Sequence, residues 1–358
     1  MKALTVTMAI AVLAFAATVS CTGPSYNNTP SPNTNAGTSS PQNANTVESK
    51  LQGMRENIKS NGMSFQVGDT GLLSTPLKEL TGGQKVPFSP DEARELEEQL
   101  KEAERKGLVP SASNFNLVER DVTLRDVQPP FDWQEHVGKA AFDWRSYRTI
   151  TPPKRQEGCG ACWAFAAASM LEANNSIFFK RQIDVSEQDI INCSEGGCGG
   201  GLLHSGLKTL KNRGAAAESD LGYQGVKQPC STTVRKCYQV AIHGFVDPNW
   251  GTPEMSRMKQ YIYQWGGVGV FMIATDTMLG YTGGVYDEFA TSGENHFVVI
   301  LGWDDNKVHR RGKGAWLIKN SWGTGWGEGG FGWVAYGANE IGFNAQMSSP
   351  NRPAAGCP

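Results

Sequence analysis

The chain has 358 residues, 39% of them apolar, with 33 basic against 35 acidic side chains and a net charge of −2. That length leaves room for about two domains, and the charge balance excludes the basic face of a nucleic-acid binder and recognition of an acidic ligand by bulk charge. Its 42 glycines, denser in the second half, predict a loop-rich C-terminal region.

The N-terminus reads as a targeting segment. Lys2 supplies one positive charge, and Leu4 to Val19 is almost wholly apolar or small, a length that fits a secretory signal and falls short of a membrane span. The run ends in ATVSC. Small residues before Cys21 resemble a bacterial lipobox, in which that cysteine carries the lipid. Thr18 departs from the aliphatic residue usual there, and ordinary signal cleavage is the alternative. The expectation is an exported protein of the bacterial cell envelope, lipid-anchored at Cys21 or secreted. Residues 22–47 contain no charged side chain and are mostly Asn, Thr, Ser and Pro. Such a stretch buries too little apolar area to offset its ordering entropy and reads as a disordered tether, on the order of 30 Å long as a coil.

From residue 48 the composition is mixed. Ser89 as N-cap, Pro90 in the first turn, Glu92 as capping-box partner and Gly107 as stop predict a helix. A second helix is expected from Cys162 to about Asn174, where Trp163, Ala166, Met170 and Leu171 recur at helical spacing. Ser186 caps a third, Leu203 to Arg213 forms a fourth stopped by Gly214, and Thr252–Pro253 opens a fifth ending near Gly266. Short β-prone runs follow at Val268–Ile273, His296–Gly302, Ala315–Lys319 and Phe331–Ala335. Helices first and strands after them predict an α+β protein with two halves.

Eight cysteines fall at positions 21, 159, 162, 193, 198, 230, 237 and 357. A zinc site wants paired C-x2-C motifs or nearby histidines. The spacing of Cys193 and Cys198 does not supply them, so no metal is expected. Export favours disulfides. Cys162 is the candidate for a thiol kept out of them, because a helix N-terminus stabilises a thiolate through its free N–H groups and macrodipole. Gln156, shortly before it, offers a side-chain amide to an oxyanion.

Four blocks, DWRSYRTITPPKRQEGCGACWAF, SEQDIINCSEGGCGGG, NHFVVILGW and LIKNSWGTGWGEGGF, occur in that order and resemble the papain family of cysteine proteases; CGACW fits that family's nucleophile signature. The resemblance implies a two-lobed α+β fold, with a helical lobe and a β-barrel-like lobe facing across a cleft. It implies Cys162 as nucleophile, His296 as base and then acid, Asn320 as the group orienting the imidazole, Trp322 as its shield, and Gln156 with the Cys162 N–H as oxyanion hole. It pairs Cys159 with Cys198 and Cys193 with Cys230, and leaves Cys237 and Cys357 either bonded to each other or free. His136, His204, His243 and His309 match no catalytic position.

Gly200 and Gly201 would carry the substrate backbone, with Leu202 and Leu203 as an apolar wall and Phe297, Phe271 and Trp326 lining the subsites. Phe297 stands where the family commonly has Ala or Gly, so a small second residue before the scissile bond (P2), such as Ala, Val or Pro, is expected. The alternative is that the Phe297 ring points into the β core. The mature domain would be residues 138–358 and the pro-segment 48–137, with 108–137 crossing the cleft; an unrelated N-terminal module is the alternative there. The implied function is a cysteine endopeptidase acting on protein or peptide substrates through a thioacyl-enzyme, monomeric and needing no cofactor. A catalytically silent peptide-binding protein or adhesin is the rival reading, and a transglutaminase-like acyl transfer a further one.

Overall fold

A computed structural model describes residues 41–84, 98, 102, 138–247 and 249–358. The leader, Cys21, residues 22–40 of the tether and the stretch 108–137 lie outside the described residues, as does most of the helix expected over 89–107. Helix α1, Pro41–Ser60, takes in the last seven residues read as tether. Leu51 and Met54 bury one face of it, and once a helix is anchored by packing, extending it backward costs little. After it, strand β1 (Phe65–Val67) pairs antiparallel with β5 (Tyr281–Tyr286). Phe65 packs against Tyr286 with ring centroids 4.5 Å apart, and the Ser64 N–H donates to the buried Asp287 carboxylate at 2.9 Å.

Helix α2 runs Cys162–Phe179, past the expected stop at Asn174. Its polar residues end nothing because tertiary partners satisfy them. Asn174 donates to the Trp265 carbonyl and accepts from Ser348, and Asn175 bonds back to Leu171. Buried on nearly every side, α2 is a core helix. Around it stand α3 (Glu187–Cys193), α4 (Leu203–Asn212) and α5 (Met255–Trp265); the short α6 (Asp276–Leu279) packs on β5. Ser186 caps α3 by accepting the Asp189 N–H at 3.0 Å. Gly266 ends α5 at φ 78°, where a Cβ would stand 2.1 Å from Ile177, so only glycine fits.

The remaining strands are β2 (Ala141–Asp143), β3 (Val240–Phe245), β4 (Val268–Ala274), β6 (Glu294–His309), β7 (Gly312–Lys319), β8 (Phe331–Ala335) and β9 (Phe343–Pro350). They form one nine-stranded sheet in the order β1-β5-β8-β7-β6-β4-β9-β3, with β2 beside β6. This corrects the barrel-like lobe: closure requires the first and last strands to pair, and here β1, from the N-terminal segment, and β3, from the helical half, stay at opposite edges. In β6 the residues from His296 to Trp303 are buried without alternation, the pattern of a strand covered on both faces. The α+β class itself holds.

Three disulfides join Cys159 to Cys198, Cys193 to Cys230 and Cys237 to Cys357. The last resolves the pairing left open by the sequence. Cys162 is the one free cysteine among the described residues.

Candidate active site

Cys162 is the first residue of α2, and Ala161 before it provides no side-chain cap. The uncapped N–H groups therefore gather at the sulfur: those of Cys162 and Trp163 from the helix, and that of Phe297 from β6, whose N lies 3.4 Å from Sγ. The β6 pairing that positions Phe297 also sets His296 beside it, opposite Met272 of β4.

His296 Nε2 lies 2.8 Å from Asn320 Oδ1, and the Ser321 N–H reaches the same Oδ1 at 2.8 Å. A backbone N–H only donates, so the atom receiving it is oxygen. Nε2 of the neutral imidazole then carries the hydrogen, and Nδ1, which has no hydrogen-bond partner, keeps a lone pair. Trp322 covers the pair, its ring 4.8 Å from the imidazole.

Gln156 is wholly buried. Its Nε2 donates to the Cys159 carbonyl at 2.8 Å and its Oε1 accepts from Ser321 Oγ at 2.5 Å, which fixes which way the amide faces. Tyr223 holds the Gln156 carbonyl at 2.5 Å. Ser321 and Tyr223 escaped the sequence reading, although Ser321 lies inside the KNSW block. It orients both Asn320 and Gln156.

The segment Leu80–Gln84 lies over this centre. Trp322 Nε1–H donates to the Leu80 carbonyl at 2.7 Å. The Gly82 and Gly83 N–H groups donate to the Asn295 carbonyl at 3.1 and 2.9 Å. Gly201 N–H donates to Gly82 O at 2.9 Å and Gln84 N–H to Gly201 O at 3.0 Å, so Gly83 and Gly201 form a parallel bridge. The stretch expected to cross the cleft, 108–137, is outside the described residues; the segment seen there is 80–84. The Gly82–Gly83 dipeptide was its signal, since paired glycines permit close backbone approach.

Burial under that segment sets the charge state. Desolvation pushes the Cys162 thiol up to about 12, against the N–H groups of Phe297, Trp163, Cys162 and Gly83. It pulls the His296 imidazole down to about 4, against the hydrogen bond to Asn320. Burial disfavours the ion in both, so between those values the covered pair is neutral thiol and neutral imidazole. Burial in this covered state thus works against the thiolate that the helix N-terminus is expected to stabilise.

The remaining site candidates separate. Gly200, Gly201 and Phe297 stand at the covering segment, and Leu202 is half-buried beside them. Phe271 backs Phe297 edge-on at 6.0 Å. Leu203 is not a cleft wall: it is buried, its side chain against Gly269 of β4. Trp326 stands behind Trp322, edge-on at 5.5 Å, with its indole N–H on the Met278 carbonyl; it supports the shield and is not at the segment.

Residues 139–351 match the model of the papain family cysteine proteases. A viral cathepsin of Spodoptera exigua nuclear polyhedrosis virus is 34% identical over 220 residues, covering 58% of this chain and 60% of that protein; the chain thus spans under two thirds of that relative's length. Bromelain from Ananas comosus, solved in complex with the E64 inhibitor, superposes with a TM-score of 0.53 at 28% identity, over 59% of this chain and 99% of its own. A recombinant stem bromelain precursor superposes with a TM-score of 0.62 at 22% identity, over 85% of this chain and 89% of its own. With the matched region spanning more than half of its length and containing the Cys162, His296 and Asn320 centre, the chain belongs to the papain family of cysteine proteases.

Proposed function

We propose that the chain is a cysteine endopeptidase made as a zymogen, in which residues 48–137 are the pro-segment and Leu80–Gln84 its inhibitory stretch. The observation that carries the reading is the joint geometry of a free thiol at an uncapped helix N-terminus and an imidazole fixed by Asn320. Once the segment leaves, water and the helix N–H groups favour the thiolate, and Nδ1 of His296 takes the proton. The thiolate attacks the peptide carbonyl carbon, forming the S–C bond. The oxyanion is held by the Cys162 N–H and the Gln156 amide. His296 gives its proton to the leaving amine as the C–N bond breaks. Water then attacks the thioacyl-enzyme with His296 as base, releasing the acid and regenerating the thiol. A substrate would pair with the Gly201 N–H and C=O that the segment occupies, so it binds only after the segment has left.

The same proposal places the chain outside the cytoplasm, as a monomer tethered to a bacterial envelope by lipid on Cys21 or released. It is supported by the leader, by ATVSC and by three disulfides, which persist in oxidising compartments. Hydrolysis of fluorogenic peptides under mild reductant by wild type and Cys162→Ala tests the activity. Hydrolysis by wild type alone is expected, and activity surviving in Cys162→Ala would exclude this mechanism.

A further inference from the structure

Gly82 and Gly83 pass between two walls. On one side stand Gly160, Gly200 and Gly201, and on the other the backbone of Asn295 and His296 with the Phe297 ring. A Cβ on Gly82 would stand 2.3 Å from the Gly160 carbonyl oxygen. A Cβ on Gly83 would stand 3.0 Å from Phe297 Cδ2 and 3.2 Å from His296 N. From the facing wall, a Cβ on Gly200 would stand 2.7 Å from the Gly82 oxygen. The alternative in which the Phe297 ring points away into the core is thereby excluded: the ring borders the chain that lies in the cleft.

The ring has little freedom to retreat. Phe297 is buried, and Phe271, its cross-strand partner on β4, is wholly buried behind it at 6.0 Å edge-on. Phe271 is in turn packed edge-on against Phe343 at 5.9 Å. Turning the ring aside would displace two more aromatic side chains in a filled interior, where added volume is felt as strain.

A chain that pairs with Gly201 where Gly83 does passes this ring. We propose that Phe297 is the specificity-determining residue and makes the cleft a slot for glycine: the substrate residue paired with Gly201, taken as P2, is Gly, then Ala. Larger apolar residues are rejected. This replaces the sequence expectation of Ala, Val or Pro with a smaller residue still, because the neighbouring wall is backbone as well as ring. The inference rests on the peptidase reading above, and its test separates the two.

The first arm uses the full chain opened by limited proteolysis ahead of Gly138, with fluorogenic peptides differing only at P2. Wild type should give kcat/KM for Gly and Ala roughly tenfold to hundredfold above Leu and Phe, the range one pocket group commands. Phe297→Ala, and the milder Phe297→Leu, should shift preference toward larger P2 residues. A wild type that prefers P2 Leu or Phe overturns the slot. The second arm needs no catalysis and follows iodoacetamide alkylation of Cys162 in the unopened full chain. Gly83→Leu should lift the covering segment and speed alkylation tenfold or more, and adding Phe297→Ala should slow it again by making room for the leucine. No change with Gly83→Leu overturns the slot. Hydrolysis of no peptide together with the expected alkylation pattern sustains the slot and overturns the peptidase reading.

Discussion

The indole N–H of Trp322 donates to the Leu80 carbonyl at 2.7 Å while the same ring lies 4.8 Å from the His296 imidazole. One side chain thus covers the His296–Asn320 pair and fastens the segment that lies over it. Trp322→Phe keeps an aromatic shield and loses the hydrogen bond, worth about 1 kcal/mol net. The full chain should then alkylate at Cys162 roughly fivefold faster. The opened enzyme should lose far less activity than Trp322→Ala. Parallel alkylation and peptide assays check both.

The charge state of Cys162 should change with the cover. In the full chain, burial holds the thiol up near 12 and the imidazole down near 4. Alkylation of Cys162 should therefore stay slow through neutral pH and rise only in strong alkali. Removing the segment relieves the desolvation that dominates both shifts, so the thiol's pKa falls and that of the imidazole rises. The opened form should alkylate rapidly at mildly acidic pH, read by mass spectrometry across a pH series. Superimposable profiles would show that the segment does not control ionisation.

Asn320 offers a separable effect. Its Oδ1 fixes the Nε2–H tautomer, and a hydrogen bond to a group that becomes charged is worth about 1.5–3 kcal/mol. Asn320→Ala should lower kcat by roughly 10- to 100-fold, with KM little changed and the limb of the pH profile that reports His296 displaced. A pure KM effect would assign Asn320 to substrate binding.

How far the sequence foretold this site follows from where each signal sits. Cys162, His296, Asn320 and Gln156 were legible because each lies in a contiguous block whose residue types state their chemistry, and Ser186 and Gly266 because capping is local. The open edges of the sheet were not, since β1 and β3 are short or non-local strands that exist only through their partners. Asn174 misled as a helix stop because Trp265 and Ser348 satisfy it from distant parts of the chain. The covering stretch at Gly82–Gly83 is a turn signal on its own, and only the facing glycines of another segment give it meaning. Leu203 reads as a wall beside the Gly200–Gly201 pair, yet it is the first residue of α4 and turns into the core.

Behind Asn320 lies a buried charge cluster that sets the last prediction. Glu172 of α2 is wholly buried, with Lys154 Nζ at 3.1 Å and Lys319 Nζ at 3.7 Å, and it accepts from Thr151 Oγ and the Val185 N–H. Burial raises its carboxyl pKa, but Lys154 and Lys319 with those two donors outweigh burial and leave it below the usual carboxylate range. A depressed folded pKa contributes stability that is fully present above the unfolded value of about 4.3 and is lost as pH falls through the folded value. Glu172→Gln leaves buried Lys319 without its countercharge, and breaking such a pair costs about 3–5 kcal/mol. Urea midpoints at pH 7 should therefore fall sharply in the variant. At pH 3 the gap to wild type should narrow, because the unfolded wild-type carboxyl protonates below about 4.3 and the folded state loses part of the advantage its lowered carboxyl gave. An equal gap at both pH values would mean that Glu172 acts through shape and hydrogen bonding and not through its charge.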